Sequence, residues 1–230
     1  MTEEAEADQL FRAAGIETGV AAVLARYALI VLEANRRFNL TGAKDASTLV
    51  PHVIDALTLA PYVESPLVDV GAGAGLPGMP LALACGIHVT FIEATAKKAD
   101  FLEMAAAELG CDARVVCGRA EVLGHRDDLR EGFACGTARA VGPPATALEL
   151  TVPFLRIGGK GLMQRGAIEG VEEAAAAGAA LILGCRVEDE LMLDEGRRIA
   201  IVRKERSTPS RFPRRTGIPA KRPLCAHRFS

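Results

Sequence analysis

Three alternating glycines, Gly71, Gly73 and Gly75, stand between a short apolar run and a proline in the stretch Leu67 to Leu81, Leu-Val-Asp-Val-Gly-Ala-Gly-Ala-Gly-Leu-Pro-Gly-Met-Pro-Leu. Val68 and Val70 have the β-branched character of a buried strand, and Pro77 suits the first turn of a helix, where its missing N–H costs nothing. Glycines at such a junction let the backbone take positive φ and come close to a ligand. The helix start adds unpaired N–H donors and partial positive charge. This spacing predicts a cofactor turn. Twenty-two residues after Gly71, Glu93 closes the next apolar run.

The chemistry of the turn depends on the glycine register. Gly73, Gly75 and Gly78 satisfy G-x-G-x-x-G, the dinucleotide fingerprint, which alone is a weak signal. That fingerprint begins directly after its strand, and here Gly71 already holds that place. Asp69 in the strand followed by Gly-x-Gly-x-Gly resembles instead the first motif of class I S-adenosylmethionine (SAM) methyltransferases. Glu93 suits either family.

The chain must then supply the elements that hold this turn. At 230 residues it has room for one substantial α/β domain. It is 50% apolar and 24% charged, with no Trp, so the core must be built from Ala, Leu, Val and Ile. No apolar run reaches the roughly 20 residues of a membrane span. The acidic start, Thr2 to Asp8, is the wrong sign for a secretory leader, and a cytoplasmic protein with no membrane partner is expected. Six cysteines show no C-x-x-C and no zinc-type spacing with the four histidines, so reduced thiols and no metal are expected.

Strands are expected near 67–71, 88–93, 113–117, 134–140 and 159–164, alternating with helices near 77–85, 96–109, 119–124, 144–155 and 167–183. Val187–Leu193 and Arg197–Arg203 read as a hairpin about Asp194-Glu-Gly196. Alternation of this kind predicts a mostly parallel, doubly wound, Rossmann-like sheet closed by an antiparallel hairpin, with ligand at the carboxyl ends of the strands. Residues 3 to 36 read as helices, and Asp45 or Ser47 would cap a further one to about Ala60 that carries His52 and Asp55. The expected organisation is a helical extension over 1–62, a core over 63–206 and a basic, proline-rich, extended tail over 207–230, in one structural domain. Arg203 to Arg228 holds nine Lys/Arg and one acid, a net of +8 that leaves −10 elsewhere in a chain of net charge −2. A basic end on an acidic protein points to a polyanion.

Further motifs sharpen the resemblance. Arg37-Phe-Asn-Leu-Thr41, His52-Val-Ile-Asp55, Asp69 to Gly78, Ala138-Arg139-Ala140 and Thr208-Pro-Ser-Arg-Phe-Pro-Arg-Arg-x-Gly-Ile-Pro-x-Lys221 resemble segments of the RsmG (GidB) family. These are bacterial methyltransferases acting on N7 of a guanine in 16S ribosomal RNA, and the resemblance covers about Arg37 to Leu224. It implies that Gly71, Gly73 and Leu76 line the methionine and ribose part of SAM, with Glu93 on the ribose and Ala120-Glu121 beside the adenine. Arg139 matches the family's arginine at the end of the fourth strand, on the cofactor, and since guanine N7 needs no base it is expected to orient and not to take a proton. Arg119, Arg165 and Arg197 fall where the family places basic residues around the substrate opening; the family commonly has lysine at 165. Asn39, His52 and Asp55 join the expected RNA side, as do Arg211, Arg214, Arg215 and Lys221 of the tail. The expected partner is 16S rRNA or the small ribosomal subunit, and the protein a monomer. Two other readings stay open at this point: a class I enzyme acting on a small molecule or protein, and a non-catalytic ribosome-binding module.

Overall fold

The computed structural model describes residues 2–165, 170–192 and 198–224. The expected turn at 194–196, Arg197 and the last six residues, with Cys225 and His227, lie outside the described residues.

Three helices come first: α1 (Glu3–Ala13), α2 (Thr18–Asn35) and α3 (Ala46–Leu57). Asp45, not Ser47, caps α3. Its carboxylate accepts from the Thr48 N–H, and the Thr48 hydroxyl accepts from the Asp45 N–H in return, a capping box. Helix α2 is long and apolar enough for a membrane span by length and composition. Its Leu24, Tyr27, Ala28 and Val31 are instead buried in the protein core.

The sheet and its helices then alternate: β1 (Leu67–Val70), α4 (Gly78–Cys85), β2 (Val89–Glu93), α5 (Ala96–Glu108), β3 (Ala113–Cys117), α6 (Ala120–Leu123), β4 (Phe133–Ala138), α7 (Pro144–Thr151), β5 (Leu155–Arg165), α8 (Gly170–Leu183), β6 (Cys185–Met192) and β7 (Arg198–Lys204). The strand order is β3-β2-β1-β4-β5-β7-β6. β7 lies antiparallel to both β5 and β6, while the pairings among β1 to β5 are parallel. Central strands β1, β2 and β4 are buried along their whole length, as strands covered on both faces must be. One apolar cluster joins α1–α3 to the face of the sheet bearing Leu67, Phe91 and Leu162. A second, with Val68, Leu148 and Leu183, fills the other face.

Several boundaries differ from the sequence pattern for identifiable reasons. The first crossover helix starts at Gly78 and not Pro77, because the buried Asp69 carboxylate accepts the Gly78 N–H at 2.9 Å. Helix α7 stops at Thr151 and tightens into a 3-10 turn, since Pro153 cannot donate to the preceding turn. β5 begins four residues earlier than expected; a register shift against β4 and the positive φ of Gly158 absorb the extra length.

The largest correction is the tail. Residues 207–224, within the tail expected to be extended over 207–230, fold back onto the sheet's second face as a strap ending in the short helix α9 (Ile218–Lys221). Phe212 and Leu224 are buried in the second apolar cluster. Arg130 donates to the carbonyls of Thr208 and Phe212, and the Thr146 hydroxyl donates to that of Pro219. Proline-rich chain leaves main-chain acceptors free, and side chains of the core supply the donors.

Candidate functional site

The glycine turn sits at the carboxyl end of β1, between β2 and β4. Gly71, Gly73 and Gly75 have φ of 72°, 57° and 96°, the left-handed region in which a side chain is strained. A Cβ at Gly71 would come within 2.4 Å of Val141 Cγ1. The turn is held from three sides. Gly71 and Ala72 N–H donate to the Ile92 carbonyl at 2.8 and 3.2 Å. The buried Tyr27 hydroxyl donates to the Ala74 carbonyl at 2.9 Å. Glu93, also buried, accepts from the Gly73 N–H at 2.9 Å and the Thr95 N–H at 2.8 Å.

Below the turn, Asp69 accepts from Gly78 N–H and from the Thr137 hydroxyl at 3.1 Å. Burial pushes its carboxyl up to about 6, against these two hydrogen bonds and the nearby Arg139, which favour the charged form. Sequence reasoning placed Asp69 in the motif without a role; its side chain ties β1 to β4 and to the start of α4.

Two cavities open on either side of Gly71. One, of about 290 Å³, is lined by Ile92, Glu93, Arg119, Ala120, Glu121 and Gly71, with Gly217 and Ala220 of the strap closing it. Glu121 accepts the Gly217 N–H at 2.9 Å, so this carboxylate anchors the wall of the cavity. The other, of about 300 Å³, is lined by Gly71, Gly73, Leu76, Leu40, Lys98 and Arg139 among others. The residues fit SAM: apolar Ile92 and Ala120 beside a carboxylate suit an adenosine, and the open backbone at Gly73 leaves room for the rest.

Arg139 stands one residue past β4 and reaches across to α3. Its Nη1 donates to the His52 carbonyl at 3.1 Å, Nη2 lies 3.2 Å from His52 Nδ1, and Nη2 is 3.7 Å from Asp55 Oδ2. His52 and Asp55, one turn apart on α3, thus face one guanidinium instead of bonding each other. Gln164 on β5 adds a tie to the same helix, donating to the Asp55 carbonyl at 2.6 Å. Asn39 is exposed. Asn35, which sequence reasoning missed, shapes its loop by accepting from the Leu40 and Thr41 N–H groups and donating to the Ala43 carbonyl.

The expected RNA residues divide into groups. Arg119, Arg215 and Lys221 are exposed. Arg211 packs its guanidinium over the Phe212 ring at 5.1 Å. Arg214 is turned inward: its Nε and Nη2 grip the fully buried Glu149 at 2.8 and 2.5 Å. Arg165 ends β5 opposite Arg198.

A family model described as rRNA small subunit methyltransferase G (GidB) matches residues 21–199. A ribosomal RNA small subunit methyltransferase G of Chloroflexus aggregans is 42% identical over 201 residues, covering 83% of this chain and 84% of the relative. That of Deinococcus deserti is 39% identical over 95% of this chain and 97% of its own. Among solved structures, the mitomycin 7-O-methyltransferase MmcR superposes with a TM-score of 0.54 at 15% identity, covering 80% of this chain and 72% of that one. A mutant of MtNAS in complex with S-adenosylmethionine gives 0.52 at 14% identity, over 87% and 83%. These structural likenesses concern the fold.

Proposed function

The chain belongs to the GidB family of rRNA small subunit methyltransferases, and from that premise we propose that it is a cytoplasmic, monomeric enzyme transferring a methyl group from SAM to N7 of a guanine in 16S rRNA. The observation that carries this reading is the pair of cavities sharing Gly71 as a wall, one framed by Glu93 and the other by Arg139. A cofactor seated in the first would present its reactive end to the second.

Bound SAM supplies an electrophilic methyl group on a sulfonium. Glu93 is placed to take the ribose hydroxyls, Ala120 and Ile92 to flank the adenine, and Gly71, Gly73 and Leu76 to pass the methionine portion. Guanine N7 carries an unprotonated in-plane lone pair at neutral pH, so no protein group has to remove a proton first. The work left to the protein is alignment and exclusion of water. Arg139, fixed by His52 and Asp55, is suited to align and not to act as a base. Asn39, Arg119, Arg165, Arg197, Arg215 and Lys221 are proposed to meet RNA.

The test is methyl transfer to 16S rRNA and to small ribosomal subunits, with the modified base identified after digestion. N7-methylguanine at one position is the expected product. Methylation of another atom would overturn the assignment of N7, and transfer to neither substrate would overturn the reading.

A further inference from the structure

We propose that Arg37, Lys97 and Lys98 form a second RNA-backbone grip, on the opposite face of the sheet from the strap, so that the substrate strand crosses the acceptor cavity between two basic walls. The inference rests on the reading of the chain as an rRNA methyltransferase.

The grip is built around Phe38. Its ring meets Phe101 of α5 edge-on, with centroids 6.4 Å apart, which seats the loop after α2 against the start of α5. Lys97 Nζ lies 5.5 Å from the Phe38 centroid. A ring face steadies an ammonium without cancelling its charge. Lys98, the next residue, lines the acceptor cavity together with Leu40, Thr41 and Arg139. Arg37 flanks Phe38 in the chain and is exposed. Phe38 and Phe101 pack with the first apolar cluster, whereas Phe212 and Leu224 of the strap belong to the second, so the two basic regions border opposite faces.

Several other surface cations are neutralised by carboxylates. Arg26, Arg114, Arg186 and Arg203 each hold a carboxylate partner. Among the described residues, none of Arg37, Lys97 and Lys98 lies within 4 Å of one. Outside Arg203–Arg228 the chain carries a net −10, so carboxylates are plentiful. Cations left unneutralised at the lip of a cavity repel one another until a polyanion arrives, and phosphates at the spacing of a nucleic-acid strand meet that need.

The test uses the full chain, 16S rRNA and salt. Binding of Arg37→Gln/Lys97→Gln/Lys98→Gln is measured between about 50 and 200 mM salt, with denaturant unfolding recording that the variant is folded. Each lost phosphate contact lowers the log–log salt slope by roughly 0.7, so the triple variant should lose about 2. Lys97→Arg/Lys98→Arg should keep the wild-type slope. Arg156→Gln, at the amino end of β5, should keep it too. An unchanged slope in the folded triple variant overturns the grip while leaving the enzyme reading intact. If the wild type methylates neither 16S rRNA nor small subunits, the reading beneath it fails instead.

Discussion

Arg139 holds His52 through an atom that no substitution at position 52 removes, the main-chain carbonyl 3.1 Å from Nη1. The imidazole adds a second contact at 3.2 Å, yet the guanidinium keeps its hold on α3 without it.

That relationship sets the first prediction. His52→Gln should keep most of the single-turnover methyl-transfer rate, because the carbonyl and Asp55 still fix Arg139. Arg139→Ala should cost on the order of a hundredfold, the usual penalty for displacing reacting groups by about 1 Å. The rate should be nearly flat between about pH 6.5 and 8.5, where a working histidine base would titrate. A steep profile that vanishes in His52→Gln would replace alignment with acid–base chemistry.

Cofactor binding should fail at two positions for different reasons. Gly71→Val places a Cβ within 2.4 Å of Val141 at a φ of 72°, so calorimetry should detect no SAM binding by the folded variant. Glu93→Gln keeps one acceptor oxygen where the carboxylate serves both Gly73 and Thr95. A donor left without a partner costs about 1–3 kcal/mol, and SAM affinity should fall roughly tenfold or more. Near-normal affinity in either variant would remove that residue from the site.

The strap's arginines should separate by assay. Arg214→Ala strands the buried Glu149 carboxylate, and breaking such a pair typically costs about 3–5 kcal/mol in denaturant unfolding. Arg215→Ala and Lys221→Ala, both exposed, should leave stability within about 0.5 kcal/mol and lower the salt slope of RNA binding. Equal stability losses across all three would mean that Arg215 and Lys221 also serve the fold.

Asp69 should imprint a pH dependence on stability. Its folded value of about 6 lies above the ordinary 3.8, so the folded chain holds an extra proton between the two. The stabilisation from this group is full below the unfolded value and is lost as pH rises through about 6. Asp69→Asn should lack that loss, so the difference between variant and wild-type urea midpoints should grow from pH 4 to 7. Parallel curves would show that the carboxyl is not perturbed.

Local pattern carried the sheet well. β3 begins and ends where its valines and flanking glycines place it, and the glycine register distinguished a SAM turn from a dinucleotide one. The strap was not legible, because a run of proline and arginine reads as solvated chain until its distant acceptors and donors are known. Nothing near Arg214 in sequence announces Glu149, and nothing near Thr208 announces Arg130. Asn35 ends α2, inside the run 3 to 36 read as helical, and its bonds to Leu40 and Thr41 arise only because the loop doubles back. The His52–Arg139 meeting spans 87 residues, and the sequence offered the two only as members of separate motifs.

Those separations bear on the order in which the molecule assembles. The strap's contacts close loops of 65 residues to Glu149, 78 to Arg130 and 96 to Glu121. Closure entropy of this kind is met before the contact returns anything, and the partners sit on α6, α7 and the loop before β4, which have positions only once the sheet has formed. The strap is therefore expected to dock late in folding. Because Gly217 and Ala220 complete the cavity beside Glu93, competence to hold the nucleoside arrives with that last docking step. In a refolding experiment the appearance of SAM binding should mark the end of the reaction, after the helical signal has already recovered.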